Sequence, residues 1–258
     1  MVKEVIINKA MQKSKSPRKE KAGKVIIIGA TSGIGRELAK VFVRKGFQVG
    51  ISGRRQQLLD SLQRKIPGKI ITECFDVTGK ENILHLRNMI EKLGGVDIII
   101  YNAGYGEISE TLNWDIEKQT TDVNVNGFVE IVCYAFNYFV NQGYGHIACT
   151  SSIASIVGSA DAPAYNASKA YESNYMEGLY LKAKKQKLNI SVTDIQPGFV
   201  NTAMAKRDKK FWVATPLKAA QQIFNAIKHK KKIAYITKRW WLIAVLIKYL
   251  PRFTYTKI

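Results

Sequence analysis

The feature that most constrains the fold is an alternation. Short apolar, β-branched runs recur at 24–29, 47–52, 69–75, 96–101, 145–151, 189–196 and 232–237. Between them lie segments of helical period, at 33–45, 56–64, 80–93, 122–141, 163–187 and 216–229; in the first, Ile34, Leu38, Val41 and Phe42 share one face. Runs that are apolar at every position suit strands buried on both faces. Strands that alternate with helices are parallel and joined by right-handed crossovers. The expected fold is α/β: one doubly wound sheet of seven parallel strands, in a single domain over 24–237. No internal repeat and no Pro-, Gly- or Ser-rich linker divides it.

Composition bears on what surrounds this sheet. The chain has 40 Lys+Arg against 20 Asp+Glu, a formal charge of +20. Residues 1–24 hold eight basic and two acidic side chains, residues 206–258 hold fourteen and one, and the body between is nearly neutral. A chain that grips nucleic acid would carry its basic residues across the folded body, so no nucleic-acid groove is expected. The basic extension 1–23 and the apolar, basic segment 238–258 are expected to meet something anionic. Cys74, Cys133 and Cys149 are odd in number and widely spaced, and His85, His146 and His229 stand alone, so neither a disulfide framework nor a metal site is expected. The opening residues group only Val5, Ile6 and Ile7 before a charged run, which makes a cytoplasmic location the expectation.

The first strand runs into Gly29-Ala-Thr31-Ser32-Gly33-Ile34-Gly35 and then a helix. Glycines there permit a tight turn, and backbone N–H groups with the helix N-terminus favour a pyrophosphate. The spacing is G-x-x-x-G-x-G, by itself also compatible with a glycine-rich turn of no function. The second strand ends at Ser52-Gly53-Arg54-Arg55. An acid at this point would bind the ribose 2′-OH of NAD, whereas an arginine accommodates the 2′-phosphate of NADP. Arg54, with Ser32 and Arg36 as helpers, therefore points to NADPH/NADP rather than NAD. The bland reading is that Arg54 and Arg55 open a solvated helix.

At the other end of the cleft, Tyr165 and Lys169 lie four apart at the start of a long helix and share a face. A cation beside a phenol favours the phenolate, and such a tyrosine serves as acid or base near neutral pH. Ser151-Ser152 closes a strand thirteen residues upstream of Tyr165.

Taken together, the glycine turn 29–35, Asn102-Ala103-Gly104, Asn124, Ser152, Tyr165-x-x-x-Lys169 and Pro197-Gly198 resemble the classical short-chain dehydrogenases/reductases, in the family's order and spacing over residues 24–237. Ile28 and Tyr101 depart from the family's usual threonine and asparagine. The resemblance implies a Rossmann-type fold and hydride transfer with a nicotinamide cofactor. It implies Tyr165 as general acid and Lys169 as the cation that tunes it and holds the nicotinamide ribose. Ser152 would polarise the substrate carbonyl, and Asn124 would hold a water linking Lys169 to solvent. Asp76 and Val77 would meet the adenine, Asn102 to Gly104 would pass under the adenosine ribose, and Pro197, Gly198, Val200 and Thr202 would border the nicotinamide. Asp76, Asn102 and Thr202 also suit ordinary capping or turn roles. No metal is implied. A homodimer or homotetramer through 122–141 and 163–187 is implied.

Residues 203–215, with Met204, Phe211, Trp212 and Val213 among charges, would be a lid for an apolar substrate, or a loop whose aromatics pack on a neighbouring helix. The segment from Lys238 to Phe253 has an apolar core of about eleven residues, short of the roughly 20 that span a bilayer. Its tryptophans beside cations suit peripheral membrane contact; an oligomer contact and a cover over the substrate cleft stay open beside it. The leading expectation is an NADPH-dependent oxidoreductase of an apolar, lipid-like carbonyl or alcohol. A 3-oxoacyl-carrier-protein reductase drawing on an acidic carrier protein is the alternative in the same class. A non-catalytic dinucleotide-binding regulator or nucleic-acid-binding protein on this fold is the alternative in another.

Overall fold

A computed structural model of the chain describes residues 22–66, 68, 70–108, 110–203 and 211–249. Its seven strands are β1 (Lys24–Ile28), β2 (Gln48–Gly53), β3 (Ile70–Cys74), β4 (Ile98–Tyr101), β5 (Gly145–Thr150), β6 (Ile190–Pro197) and β7 (Ile233–Ile236). They form one sheet in the order β3-β2-β1-β4-β5-β6-β7, with every pair parallel. The order reverses direction between β1 and β4, where Ile28 pairs with Tyr101. Doubly wound sheets open a crevice at that switch point, outside the carboxyl ends of the strands.

The helices are α1 (Gly33–Arg44), α2 (Gln56–Lys65), α3 (Asn82–Leu93), α4 (Trp114–Thr121), α5 (Phe128–Gln142), α6 (Pro163–Lys185), α7 (Pro216–Lys228) and α8 (Trp240–Tyr249). They bury the sheet from both sides. Alternate residues of each strand join two separate cores. Val25, Ile27 and Ile100 pack with Leu38 and Phe42 of α1, Leu59 and Leu62 of α2 and Ile223 of α7. Ile26, Ile28, Ile99 and Tyr101 pack with Leu86 of α3, Phe128 and Phe139 of α5 and Met176 of α6. This two-sided burial is why the strands read as unbroken apolar runs.

The structure departs from the expected elements in two places. α4, capped by Asn113 whose side chain accepts from the N–H groups of Asp115 and Ile116, was not expected; it buries only Thr120 and so lacks an apolar stripe. The helix expected over 122–141 starts as a π-helical turn, Asp122–Gly127, before α5. A wide turn of this kind inserts an extra residue and often marks a functional site; here it carries Asn124. Met204 to Lys210 of the expected lid, residues 1–21 of the basic extension and residues 250–258 of the C-terminal segment lie outside the described residues.

Candidate active site

Every strand from β1 to β6 delivers its candidate residues at its carboxyl end. Gly29 follows β1 with φ at +87°, and a Cβ there would lie 2.6 Å from the Ala103 backbone, so only glycine lets the ends of β1 and β4 close on each other. Gly35 is tighter still: its Cβ would meet the Gly29 carbonyl at 2.1 Å. Asn102 fastens the turn from the other side, its Nδ2 donating to Gly29 O at 2.8 Å. Ile34 is part-buried against α1's core, while Ser32 precedes α1 with no side-chain cap bond of its own. Thr202 leans over Gly33, bringing the loop after β6 onto the glycine turn.

The arginine pair divides its work. Arg54 reaches Asp76 Oδ2 at 3.4 Å, both groups exposed. Arg55, not singled out from the sequence, donates to Thr31 Oγ1 at 2.7 Å and Ser32 Oγ at 3.0 Å, so its guanidinium stands beside the glycine turn. Asp76 also accepts from Thr78, and Val77 turns its side chain into the core, which leaves Asp76 as the side chain of that pair facing the cleft.

At the reactive end, α6 starts over the end of β5. Lys169 Nζ donates to Thr150 O at 3.2 Å and lies 5.8 Å from the centre of the Tyr165 ring. Its closest partner is Glu172, whose two oxygens stand 2.8 and 3.0 Å away. Burial pulls the Lys169 pKa down; the charges of Glu172, Tyr165 and Cys149 more than offset it and raise it above the ordinary lysine value, so the ammonium is held. Ser152 Oγ accepts from Ala154 N at 3.1 Å, and the acceptor for its own proton among the described residues is Pro197 O, distant at 3.5 Å. Its proton is thus loosely held. Ser151, by contrast, is spent on structure, bonded to Asp194 and to Ile195 O. Asn124 is wholly buried; its amide accepts from Tyr105 N and donates to Tyr105 O and Ser168 Oγ. The side chain therefore ties the loop after β4 to α6, and a water-holding role would fall to main-chain atoms.

Beyond β6, Pro197 ends the strand, Gly198 N donates to Ile236 O, and Val200 is buried in a bridge to Ala214. Gly198 faces Trp240 of α8 so closely that a Cβ would sit 2.0 Å from the indole. Phe199, Phe211 and Trp212 pack their rings around Trp240. Phe211 and Trp212, the described aromatics of the expected lid, thus rest on α8. Among the described residues, Ser52 Oγ, Thr150 Oγ1, Gln196 Oε1, Thr237 Oγ1 and Trp240 Nε1 are buried without a partner. The first four stand at or just past the carboxyl ends of β2, β5, β6 and β7 and Trp240 at the start of α8, where a polar ligand would satisfy such groups; Gln48, Asn82 and Gln222 carry unpartnered oxygens elsewhere in the fold. The close-packed glycine turn, the arginines beside it and these orphaned atoms fit a dinucleotide. A groove of about 610 Å³ lined by Phe42, Phe47, Tyr144, His146 and Phe224 opens at the opposite end of the sheet, far from these residues.

The fold and this set of residues are those of an oxidoreductase of the dehydrogenase class. The short chain dehydrogenase family model matches residues 23–211, and the chain belongs to that family. It is 30% identical to mouse dehydrogenase/reductase SDR family member 7B over 250 residues, 87% of this chain and 76% of that protein. It is 32% identical to an uncharacterized oxidoreductase of Myxococcus xanthus over 185 residues, 69% and 72% of the two chains. Among solved structures it resembles the 3-ketoacyl-(acyl-carrier-protein) reductase of Brucella melitensis complexed with NADH, at TM-score 0.75 and 20% identity over 83% of this chain and 95% of that one. An actinorhodin polyketide ketoreductase with NADPH gives TM-score 0.74 at 20% identity over the same shares.

Sequence reasoning passed over Glu172, and it read Trp240 together with Trp241 as interfacial tryptophans with a cover over the cleft left open, whereas Trp240 is buried against Gly198. Glu172 had a signal: it falls on the buried face of α6 between Lys169 and Met176, at helical spacing, where an acid is out of place.

Proposed function

We propose that the chain is an NADPH-dependent reductase of a ketone or 3-oxo group on an apolar, lipid-like compound, the same step running backwards on the matching alcohol. The observation that carries this reading is the Lys169 ammonium held 5.8 Å from the Tyr165 ring and bonded to the end of β5, from which Ser152 follows. When bound, the nicotinamide supplies or takes the hydride. Tyr165 Oη gives its proton to the carbonyl oxygen, Ser152 Oγ turns its loosely held proton to the same oxygen and fixes it, and Lys169 stabilises the phenolate left behind. The glycine turn and the N-terminus of α1 hold the pyrophosphate. Asp76 and Val77 meet the adenine, and Asn102, Ala103 and Gly104 back the adenosine ribose. Gly198, Val200 and Thr202 border the nicotinamide. Arg54 and Arg55 favour the 2′-phosphate of NADP over NAD.

The aromatic wall of Phe199, Phe211, Trp212 and Trp240 supports an apolar substrate. A 3-oxoacyl-carrier-protein reductase is the second reading, favoured by the likeness to the Brucella enzyme and by basic ends suited to an acidic carrier. The intact Ser152, Tyr165 and Lys169 speak against a non-catalytic regulator. A homodimer or homotetramer would form across α5 and α6, where Val140, Tyr171 and Leu181 are exposed.

No helix among the described residues is long and apolar enough to cross a membrane. The outer face of α8 exposes Trp241, Leu242, Leu246 and Tyr249 beside Lys238 and Arg239, which suits peripheral contact with an anionic lipid surface. Replacing Trp241, Leu242 and Leu246 by Ser leaves the inner Trp240 in place and should abolish flotation with anionic vesicles; unchanged recovery would remove α8 as the contact. The reaction itself is tested by NADPH oxidation over 3-oxoacyl thioesters, long-chain ketones, ketosteroids and sugars. Tyr165→Phe should abolish turnover while NADPH still quenches tryptophan fluorescence, and undiminished turnover would sink the general-acid role.

A further inference from the structure

Lys169 and Glu172 form an ion pair that leaves 3% and 0% of their side chains exposed. Burying two charges costs more than their attraction generally returns, so a pair like this is poorly explained as a stabilising device. Its position explains it better. Glu172 follows Lys169 by three residues on α6 and holds both oxygens on Nζ. It is wholly buried. The charged and titratable groups that act on it or feel it are Lys169 on α6, the Cys149 thiol from β5, Asp194 from β6 and Tyr101 from β4.

We propose that Glu172 is a positioning residue that anchors the Lys169 ammonium and partly neutralises it, so that the cation's pull on the Tyr165 phenol is weakened and the site is set for proton donation, the direction of carbonyl reduction. The inference rests on Tyr165 being the general acid. A bare ammonium beside a phenol favours the phenolate that alcohol oxidation needs; an ammonium whose charge is balanced from behind favours it less. The carboxylate also fixes Nζ against Thr150 O, so that the lysine does not wander within the cleft. Burial, opposed by Lys169, pushes the Glu172 carboxyl up to about 7, so the balance itself responds to pH near neutrality.

The test compares wild type, Glu172→Asp and Glu172→Gln as full chains with NADP bound. Two readouts are taken: the pH at which the Tyr165 ring-carbon signal turns over in ¹³C-tyrosine NMR, identified by its loss in Tyr165→Phe, and the pH of half-maximal alcohol oxidation. Both should fall by about 1 to 2 pH units in Glu172→Gln, for a charge of this kind across a partly screened site. Glu172→Asp, which keeps the charge but draws it back from Nζ, should lie between. It also serves alone if the Gln variant fails to fold. A Tyr165 signal that turns over at the wild-type pH, or higher, in either folded variant overturns the proposal. That failure is distinct from failure of the general-acid reading, which is seen as turnover surviving Tyr165→Phe.

Discussion

Gly106 lies against the reacting tyrosine, and a single methyl group there measures how finely Tyr165 has to be placed. A Cβ on Gly106 would stand 2.3 Å from Tyr165 Cδ2 and 2.8 Å from Cγ, whereas ordinary contact begins at 3.4 Å, so about 1.1 Å has to open. Gly106 is not among the glycines with positive φ, so alanine meets no backbone penalty. The loop cannot simply retreat, because Asn124 grips Tyr105 at both N and O. The ring has to yield. A displacement of about 1 Å from reacting geometry costs about 10²-fold in rate, or about 2.7 kcal/mol of barrier. Gly106→Ala should therefore lower kcat for carbonyl reduction by about 10²-fold. NADPH affinity from tryptophan quenching should stay close to wild type, because the added methyl meets the Tyr165 ring and not the glycine turn. Steady-state kinetics with fluorescence titration and a thermal melt decide it. A kcat within about threefold of wild type would refute the reasoning, and so would a loss of rate matched by a loss of NADPH binding.

Two other outcomes follow from the same structure. Arg55→Ser removes the guanidinium from Thr31 and Ser32, and Arg54→Asp puts an acid where a 2′-phosphate would lie; each should raise the KM for NADPH by about tenfold or more, the worth of a charge-assisted hydrogen bond, and that for NADH far less. Equal effects on both cofactors would remove the arginines as the source of preference. The second concerns His146 in β5. Thr193 Oγ1 gives its proton to Lys231 O and so accepts from His146 Nε2, which places a proton on that nitrogen. Burial, then the charge of Lys230, lowers its pKa from 6.5 to about 4. A depressed value of this kind contributes stability that is full above pH 6.5 and is lost as pH falls toward 4, about 3 kcal/mol in all. In urea titrations at the two ends of that range, His146→Gln should lose about 3 kcal/mol less than wild type; identical losses would refute the assignment.

Strand and helix alternate so plainly in this sequence because the sheet is buried on both faces, and Val25 to Ile28 divide their side chains between two cores. The glycine turn, Asn102, Tyr165 and Lys169 were legible for a related reason: each occupies a strand end or helix start that local composition marks. The remaining features depend on tertiary neighbours. α4 buries a single threonine and leaves no stripe to read. The π-helical turn at Asn124 has no compositional signature. Arg54 and Arg55 are adjacent cations, and only the packed structure sends the second to the glycine turn and the first to Asp76. α8 is apolar on most sides, so its sequence does not say that Trp240 faces inward while Trp241 faces out.

That last arrangement joins two events that would otherwise be independent. The Trp240 indole rests on Gly198, at the border of the proposed nicotinamide position, and the next residue along the same short helix stands free on the outer face. A ligand that grips the outer face of α8 in one orientation of the helix acts on the inner face as well, and a cofactor that settles against Gly198 pushes back. The two affinities are then bound by reciprocity: whatever factor the surface contact lends to the cofactor, the cofactor returns to the surface contact.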